Sequence, residues 1–407
     1  MDRRTALKLF ASLSSLSLAP NALAKSSKKR ILVIGAGIIG VSATYYLSKL
    51  GHKVTLIDQL APASHATRGT FAWLNATWAK QPKHYHYLNQ LGLNEWRKIA
   101  PELAIPIRWH GSIEWFDSEA RTTTLAHQIE EQIKWGEPAK MIDASEIRRR
   151  EPNIEVNDSV RAALSGNDGA LDPIFATQQF IQAAKALGAN ILYPCEVLAP
   201  VFQSGQLAAV QTTTGTIQAD EFVVATGANP ILPETLSKIA LPQRTTPGVI
   251  AITEPLPPLV HSIVAAPGVH LHQRHDGKIV LGEQAGAPVG QAHELRLKGR
   301  PNDFPHQSIA RAHGERILNV AASYFPALKN AQIENCYIGW RPLPIDGHPV
   351  LGHSIEQHNV YLAVMHSGIS LGPLAGKIIA QEVGLDTISG ELAAYRPTRN
   401  FIKQVRY

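Results

Sequence analysis

Cysteine is nearly absent from this chain, which has only Cys195 and Cys336 among its 407 residues. Two cysteines exclude a disulfide-stapled fold and a cysteine-rich metal site. No apolar run reaches the roughly 18 residues that a membrane-spanning helix needs, so the sequence predicts no such helix. Internal repeats and low-complexity tracts are absent too, which excludes a solenoid or a fibrous protein.

Positive charge is in small excess and is not concentrated in one region. The formal net charge is +6, and the first 24 residues carry +2 of it. No dense basic stripe with interleaved aromatic residues occurs, so we expect no nucleic-acid partner. Hydrophobic residues make up 44% and charged residues 18% of the chain, as in soluble globular enzymes, and this composition excludes a disordered protein.

Residues 1–24 have the features of an export signal. Arg3 and Arg4 precede an apolar stretch diluted by serines, and residues 22–24 form a small-x-small cleavage site. The stretch DRRTALK resembles a twin-arginine signal, although Asp2 stands where such signals usually have serine or threonine. An ordinary secretory signal with a basic start, or an amphipathic N-terminus, is the alternative. We predict a signal peptide that directs the protein to the periplasm by the twin-arginine route and is cleaved at its end.

A glycine-rich turn follows, in the sequence KKRILVIGAGIIGVSATYYLSKLGHKVTLID. The short apolar run before the turn predicts a strand buried on both faces. Gly35, Gly37 and Gly40 form a GxGxxG motif that permits a tight turn, a close approach to a pyrophosphate and the packing of a helix on the strand. Asp58 closes the second strand 18 residues after Gly40, where an acid binds an adenosine ribose. The complete unit predicts a dinucleotide-binding site.

Two later segments decide between NAD and FAD. Residues 220–228, DEFVVATGA, predict an apolar strand that returns to the cofactor. Residues 359–364, NVYLAV, predict another buried strand, followed by a glycine-bearing turn that opens a helix. The start of that helix offers backbone N–H groups and the positive end of its dipole to the negative charge of a reduced flavin. One nucleotide fold divided between both ends of the chain fits FAD better than NAD.

Six segments, taken in order, resemble the FAD-dependent D-amino-acid oxidase superfamily, which includes glycine oxidases, sarcosine oxidases and bacterial D-amino-acid dehydrogenases. They are IGAGIIG with Asp58, SHATRG, GALDPIFATQQFIQAAKALGANILYPCEV, VVATGAN, GWRPLPIDGHPVLG and HSGISLGPLAG. The resemblance implies an α/β fold in which a Rossmann-like FAD-binding domain is interleaved with an antiparallel-sheet substrate domain. We place the FAD-binding domain at residues 29–75, 160–235 and 336–390, and the substrate domain at residues 76–159 and 236–335.

The resemblance also implies which residues bind FAD. The predicted contacts are Gly35, Ala36, Gly37, Ile38, Ile39, Gly40, Asp58, Thr67, Arg68, Gly69, Val197, Thr226, Gly227, Gly339, Arg341, Gly368, Ile369, Ser370 and Leu371. Some relatives attach the flavin through a cysteine in the region of Gly339. Cys336 lies three residues before that matching position, so we expect FAD to be bound non-covalently.

Arg341 is the candidate anchor for a substrate. It lies in GWRPLPIDGHPVLG, where the resembled family has an arginine that holds the substrate carboxylate in a two-pronged ion pair. Arginine suits this task because its planar guanidinium pairs with two oxygens at once. A structural Arg-Pro turn at a strand end is the alternative.

His270 and His272 fall on one face of a predicted strand in VHLHQRH. The matching strand of the resembled family lines the substrate cavity and often has tyrosine at the position of His270. We therefore take both histidines, with Arg341, as candidate catalytic residues. Solvent-exposed histidines and a half-formed metal site are the alternatives; no third ligand is evident, and we predict no metal.

The predicted function is oxidation of the C–N bond of an amino acid (a D-amino acid, glycine or an N-alkyl amino acid) by hydride transfer to flavin N5. Orientation does most of the work, so no dedicated general base is needed, and neither a Ser-His-Asp set nor a pair of carboxylates is evident. The alternatives are an amine or 2-hydroxy-acid dehydrogenase of the same fold and a non-catalytic FAD-bound binding or assembly protein. The electron acceptor, quinone or oxygen, and a peripheral contact with a membrane stay open.

Overall fold

The computed structural model describes residues 28–77, 80–283 and 302–403, and the predicted signal peptide lies outside this part of the chain. The strands are β1 (Arg30–Ile34), β2 (Lys53–Ile57), β3 (Trp73–Leu74), β4 (Ile107–Arg108), β5 (Ser112–Glu114), β6 (Ala139–Asp143), β7 (Arg161–Ser165), β8 (Gly169–Leu171), β9 (Asn190–Leu192), β10 (Val197–Gln203), β11 (Gln206–Thr212), β12 (Gly215–Gln218), β13 (Glu221–Val224), β14 (Gln243–Thr253), β15 (Ile263–Ala266), β16 (Val269–Gln273), β17 (Ile279–Gly282), β18 (Ile333–Pro344), β19 (Val350–His353) and β20 (Val360–Val364). The α-helices are α1 (Ile38–Lys49), α2 (Lys83–Glu102), α3 (Glu119–Lys134), α4 (Ala144–Arg150), α5 (Pro173–Ala186), α6 (Ile231–Ser237), α7 (Gln307–Tyr324) and α8 (Gly368–Ile379).

Six strands form a mostly parallel sheet in the order β19-β20-β13-β1-β2-β9. Its pairings are parallel except that of β19 with β20 at the edge. The central strand, β1, alternates between two cores. Ile31 and Val33 pack with α1, α5 and α8, whereas Leu32 and Ile34 pack with the small sheet of β10, β11 and β12. Both faces of β1 are therefore covered, as its apolar sequence predicts.

Eight strands form a second sheet in the order β18-β14-β17-β16-β15-β5-β7-β6. Its pairings are antiparallel apart from that of β15 with β5. Ile317, Leu318 and Ala321 of α7 share a core with strand residues of this sheet. The expected α/β fold, in which a Rossmann-like unit is combined with a largely antiparallel sheet, is confirmed.

Strand pairing and helix packing correct the predicted domain boundaries. β7 pairs with β5 and β6, so residues 161–165 lie in the large sheet and not with the cofactor unit. β18 pairs with β14 along its length, so residues 336–344 also belong to the large sheet. The predicted substrate segment 76–159 includes α2, yet α2 packs on α8 and shares its core. The order of elements along the chain does not show to which sheet or core each segment belongs. That depends on which distant strand pairs with the segment or which distant element covers its apolar face.

In the part of the chain that the structure describes, no helix combines the length and the apolar character needed to cross a membrane. Those same residues contain no group of three or more His, Cys, Asp and Glu side chains that could hold a metal ion. His270 and His272 thus acquire no third ligand from the described residues.

Candidate functional site

The glycine motif forms the turn between β1 and α1, and its glycines leave no room for side chains. Gly35 has φ = +106°, and a Cβ on it would overlap the carbonyl of Ala225 at the end of β13. A Cβ on Gly40 would overlap the Gly35 carbonyl, so α1 could not approach β1. A Cβ on Gly37 would lie 3.2 Å from Thr67 Oγ1. The bare turn therefore brings β1, α1 and the loop after β2 together.

Asp58 at the end of β2 supports this turn. Its Oδ2 accepts a hydrogen bond from the Ala36 N–H at 2.7 Å, and its Oδ1 accepts one from the Leu60 N–H at 2.9 Å. Thr67 Oγ1 accepts a hydrogen bond from the Ile38 N–H, at the first turn of α1, at 3.1 Å. Asp58 and Thr67 both border the cavity that opens at the turn.

This cavity has a volume of about 780 Å³ and extends from the glycine turn to β18. The predicted FAD contacts that line it are Gly35, Gly37, Ile38, Ile39, Asp58, Thr67, Val197, Thr226, Gly227, Gly368 and Ile369. Thr226 Oγ1 is buried and has no hydrogen-bond partner among the described residues. Buried hydroxyls are normally paired, so this orphaned group fits a wall that a polar ligand completes.

Three other predicted contacts lie beside the cavity wall and not in its lining, and their binding of FAD stays a prediction. Gly69 and Gly339 lie backbone against backbone, where a Cβ on either would overlap the other. Arg68 pairs with Asp303 at 2.8 Å and stacks on the ring of Tyr337. These contacts therefore attach the loop after β2 to β18 and to Asp303.

Four more predicted contacts also support the cavity without lining it. Ser370 Oγ accepts a hydrogen bond from the Asn75 N–H at 3.0 Å, and Leu371 is 1% exposed within the core. Ala36 gives its N–H to Asp58, and Gly40 faces the Gly35 carbonyl. They hold residues that border the cavity, and their own contact with FAD stays a prediction.

Several cavity residues were not predicted from the sequence. Trp340 and His366 line the wall and lie within the quoted motifs GWRPLPIDGHPVLG and HSGISLGPLAG, so the motifs themselves could have indicated them. Asn302 also lines the wall, but it lies far from any motif and no local pattern indicates it.

The positions of the two cysteines support the prediction that FAD is bound non-covalently. Cys336 lies on β18 and faces α7, since a Cβ on Gly314 of that helix would come within 2.9 Å of its Sγ. Burial raises the pKa of Cys336 to about 11, which leaves little reactive thiolate at neutral pH. Cys195 borders the cavity, but its N–H donates to the Asp58 carbonyl at 2.7 Å. It therefore lies at the end of the cavity where Asp58 is located.

Arg341 extends from β18 over the neighbouring strand β14. Its Nη1 donates a hydrogen bond to the Pro247 carbonyl at 3.0 Å. The guanidinium lies over Gly248, since a Cβ on that residue would be 2.9 Å from Nη2. The charge of Arg341 contributes to lowering the pKa of both His270 and His366, after the larger effect of burial. Its chain neighbours Trp340 and Pro342 line the cofactor cavity, so Arg341 lies where β18 of the large sheet meets the cavity wall.

His270 and His272 share one face of β16 and meet the loop after β2 there. Phe71 packs on both, with ring centroids 5.6 Å from His270 and 4.8 Å from His272. The Trp73 ring lies 5.9 Å from that of His270. His272 Nε2 donates to the Phe71 carbonyl at 2.8 Å, and His272 is only 2% exposed, so the solvent-exposed alternative is wrong for this residue.

Burial sets the charge state of these histidines. It lowers the pKa of His270 to about 4 and that of His272 to about 4, with nearby arginines adding to the effect. It lowers the pKa of His366 to about 3. All three rings are therefore neutral at pH 7, and they add hydrogen-bonding capacity without adding charge.

A lysine that no motif predicts lies at the start of α8. Lys80 Nζ donates to Ser367 Oγ at 2.7 Å and lies 5.5 Å from the centre of the Tyr85 ring. Tyr85 OH and Ser367 Oγ are 2.6 Å apart. Ser367 is the N-cap of α8, yet its side chain makes no capping hydrogen bond, so first-turn N–H groups of the helix keep their capacity to bind an anion.

The cavity fits FAD on these observations. Its glycine turn has no room for side chains, an acid closes β2, and Thr226 offers an orphaned hydroxyl. The uncapped start of α8 meets the same cavity through Gly368 and Ile369. A dinucleotide with an anionic pyrophosphate and a polar ribose matches these groups.

Comparison with known proteins agrees with this fit. Residues 30–382 match the model of the DAO family, described as FAD dependent oxidoreductase. A glycine oxidase of Bacillus licheniformis is 25% identical over 373 residues, which cover 86% of this chain and 92% of the relative. A D-amino acid dehydrogenase of Agrobacterium fabrum is 22% identical over 422 residues, which cover 88% of this chain and 96% of the relative.

Solved structures show the same fold. The crystal structure of L-proline dehydrogenase from P. horikoshii has a TM-score of 0.78 at 23% identity, covering 91% of this chain and 97% of that one. Glycine oxidase from Geobacillus kaustophilus has a TM-score of 0.79 at 22% identity, covering 91% of this chain and 99% of that one. The family model spans most of the chain, so the protein belongs to the DAO family of FAD-dependent oxidoreductases, and FAD is its cofactor.

Proposed function

We propose that the protein oxidises the C–N bond of an amino acid, with D-amino acids, glycine and N-alkyl amino acids as candidate substrates. The observation that carries the proposal is the position of Arg341 on β18 between Trp340 and Pro342, which line the cofactor cavity, with its guanidinium held by the Pro247 carbonyl. A half-buried guanidinium beside such a cavity favours a small anion, and a carboxylate matches its planar fork. The names of the relatives, glycine oxidase and D-amino acid dehydrogenase, support the same substrate class.

Each side chain of the site has a task in this reaction. Arg341 binds the carboxylate and orients the substrate, while its own guanidinium is held by the Pro247 carbonyl. His270 and His272 stay neutral and form a wall with Phe71 that excludes water. Bound FAD would supply the acceptor for the hydride that leaves the substrate Cα–H bond as the C–N single bond becomes an imine. Orientation lowers the barrier, so no side chain needs to act as a general base.

The residues that would hold FAD come from both ends of the cavity. The start of α1 would hold the pyrophosphate, Asp58 would bind the ribose, and the Thr226 hydroxyl would add a hydrogen bond from the cavity wall. Lys80 adds positive charge beside the Ser367 N-cap. These groups would hold an anionic cofactor by charge and hydrogen bonds, without a covalent bond.

An anaerobic bleaching screen of the yellow holoenzyme tests the proposed activity. D- and L-amino acids, glycine and sarcosine are added in turn, and the flavin absorbance is followed. We expect at least one amino acid to bleach the flavin. Bleaching by amines or 2-hydroxy acids alone would instead support a dehydrogenase of different substrate class. No bleaching by any of these compounds would favour a non-catalytic FAD-bound protein.

We also propose that the holoenzyme is exported to the periplasm by the twin-arginine route. Arg3 and Arg4, followed by a serine-diluted apolar stretch, support this route, which carries folded proteins. FAD is made in the cytoplasm, and the cavity needs β1, β13 and α8 together, so the cofactor binds after folding. Replacing Arg3 and Arg4 by lysine keeps the charge and should leave the yellow enzyme in the cytoplasm. A normal periplasmic level of this variant would show that the leader is an ordinary basic signal.

For an exported enzyme we propose a quinone of the respiratory membrane as the electron acceptor, reached through a peripheral contact. To compare the two acceptors, enzyme reduced by its substrate is mixed with oxygen or with a soluble quinone analogue, and the rate of flavin reoxidation is measured. Faster reoxidation by the quinone supports a dehydrogenase, whereas faster reoxidation by oxygen supports an oxidase.

A further inference from the structure

We propose that Gly248 is a positioning residue for substrate binding, because the absence of a side chain there provides the space in which the Arg341 guanidinium lies. This inference rests on the proposed function, in which Arg341 binds the substrate carboxylate. Gly248 itself touches neither substrate nor cofactor in this proposal. It acts through the arginine, whose position it sets.

The strand register explains why these two residues meet. In the antiparallel pair of β14 and β18, Thr246 lies opposite Arg341 and Gly248 lies opposite Gly339. Gly248 is therefore the diagonal neighbour of Arg341 on one face of the sheet, at a distance that a long side chain spans. The Arg341 side chain leans along this diagonal, and its Nη1 reaches the carbonyl of Pro247, the residue before the glycine.

The space over Gly248 is filled by the guanidinium. A Cβ on Gly248 would lie 2.9 Å from Nη2, 3.2 Å from Cζ and 3.7 Å from Nε of Arg341. These three atoms are the nearest to that position, so a side chain at position 248 would contact the planar guanidinium first. Gly248 is not among the residues with positive φ, so its backbone conformation does not require glycine.

Alanine at this position should move the fork and leave the sheet intact. The atoms that the methyl group meets are the far end of a flexible side chain, whereas the backbone of β14 is held by its ladder with β18 at Gly248 and also by β17 from Ile250 onward. The guanidinium would leave the Pro247 carbonyl and turn away from its present plane. A bidentate pair with a carboxylate tolerates little misplacement, and a shift of about 1 Å in such a group costs on the order of 100-fold.

Steady-state kinetics of Gly248→Ala test the proposal, with the amino acid that bleaches the flavin best as the substrate. We expect KM to rise about tenfold to 100-fold, with a smaller fall in kcat, because carboxylate binding and substrate orientation are both weakened while the cofactor site is untouched. FAD content and Tm report whether the fold is kept. The matched control is Gly166→Ala directly after β7, where the added methyl would meet only the Pro138 carbonyl, at 3.9 Å. It should leave KM unchanged.

A double variant separates positioning from a general structural effect. If Gly248 acts only through Arg341, adding Gly248→Ala to Arg341→Ala should change KM no further. A crystal structure of the Gly248→Ala holoenzyme gives a second readout, which does not depend on turnover. We expect the guanidinium to be displaced from the Pro247 carbonyl while β14 and β18 superpose on the parent.

Three results would overturn the proposal. They are an unchanged KM in Gly248→Ala when Arg341→Ala raises it, additive effects in the double variant, or a guanidinium that keeps its place in the crystal. If Arg341→Ala itself leaves KM unchanged, the carboxylate anchor is wrong and the proposed function fails at that residue. The crystal structure then still decides whether Gly248 sets the position of the guanidinium.

Discussion

Gly69 and Gly339 touch backbone to backbone, so the loop that follows β2 lies directly on β18. A Cβ on Gly69 would overlap the backbone of Gly339, and a Cβ on Gly339 would overlap the carbonyl of Gly69. Gly339 also lies opposite Gly248 and two residues before Arg341. One contact thus joins a loop of the cofactor cavity to the strand that carries the proposed substrate anchor.

Gly339→Ala is expected to weaken both the fold and the retention of FAD. The added methyl meets backbone, which cannot turn aside as a side chain can, so we expect a loss of about 2 kcal/mol or more in the free energy of unfolding. Denaturant unfolding and the ratio of FAD to protein measure the two effects. Gly390→Ala is the control, since a methyl there meets nothing within 4 Å. Equal stability of the two variants would contradict the contact.

Arg341→Ala should lower kcat/KM for a carboxylated substrate by roughly 100-fold or more, since it removes a charge-assisted bidentate contact. Arg341→Lys should restore part of the loss, because lysine returns the charge without the fork. The kcat/KM values of the three proteins are compared at one pH. An unchanged kcat/KM in Arg341→Ala would remove this residue as the carboxylate anchor.

Cys336→Ser should keep the full content of FAD. The thiol faces α7 and not the cavity, and burial raises its pKa to about 11. Acid precipitation of the parent should release all of the flavin into the supernatant. Yellow colour that stays with the precipitated parent and disappears in Cys336→Ser would show a covalent bond instead.

In the FAD-free protein, Lys80→Met should raise Tm near neutral pH, and the gain should shrink as the pH approaches about 10. Burial lowers the pKa of Lys80 from 10.5 to about 8 in the folded protein. Between these two values the unfolded chain binds more protons than the folded one, so the contribution of this group to stability rises with pH. Removing the amine therefore raises Tm most at pH values below about 8, where the buried Lys80 is charged.

Thermal unfolding of the parent and of Lys80→Met across this pH range gives the comparison. Lys83→Met, at an exposed position at the start of α2, controls for the loss of one lysine. A gain in Tm that is constant or grows with pH would show that Lys80 keeps its charge at high pH.

Local patterns predicted the unit of β1, α1 and β2, because the apolar run, the glycine spacing and the terminal acid all lie within one short segment. These local patterns could not predict contacts between residues that are far apart in the chain. Lys80 meets Ser367 across 287 residues, and neither residue carries a local sign of the other. A five-residue strand such as β7 likewise shows no preference for one sheet until its neighbours are known. The position of Arg341 was indicated by its motif, but the space over Gly248 depends on strand register.

The strand order of the cofactor sheet has a consequence for synthesis on the ribosome. β1 emerges early, but it pairs with β13, which in turn pairs with β20 late in the chain. A nascent chain that stops before Val360 leaves β13 with an open edge and lacks the whole of α8. Such long-range pairing slows folding, and truncated products cannot complete the sheet. We therefore expect stop codons before Val360 to yield chains that are degraded and never turn yellow.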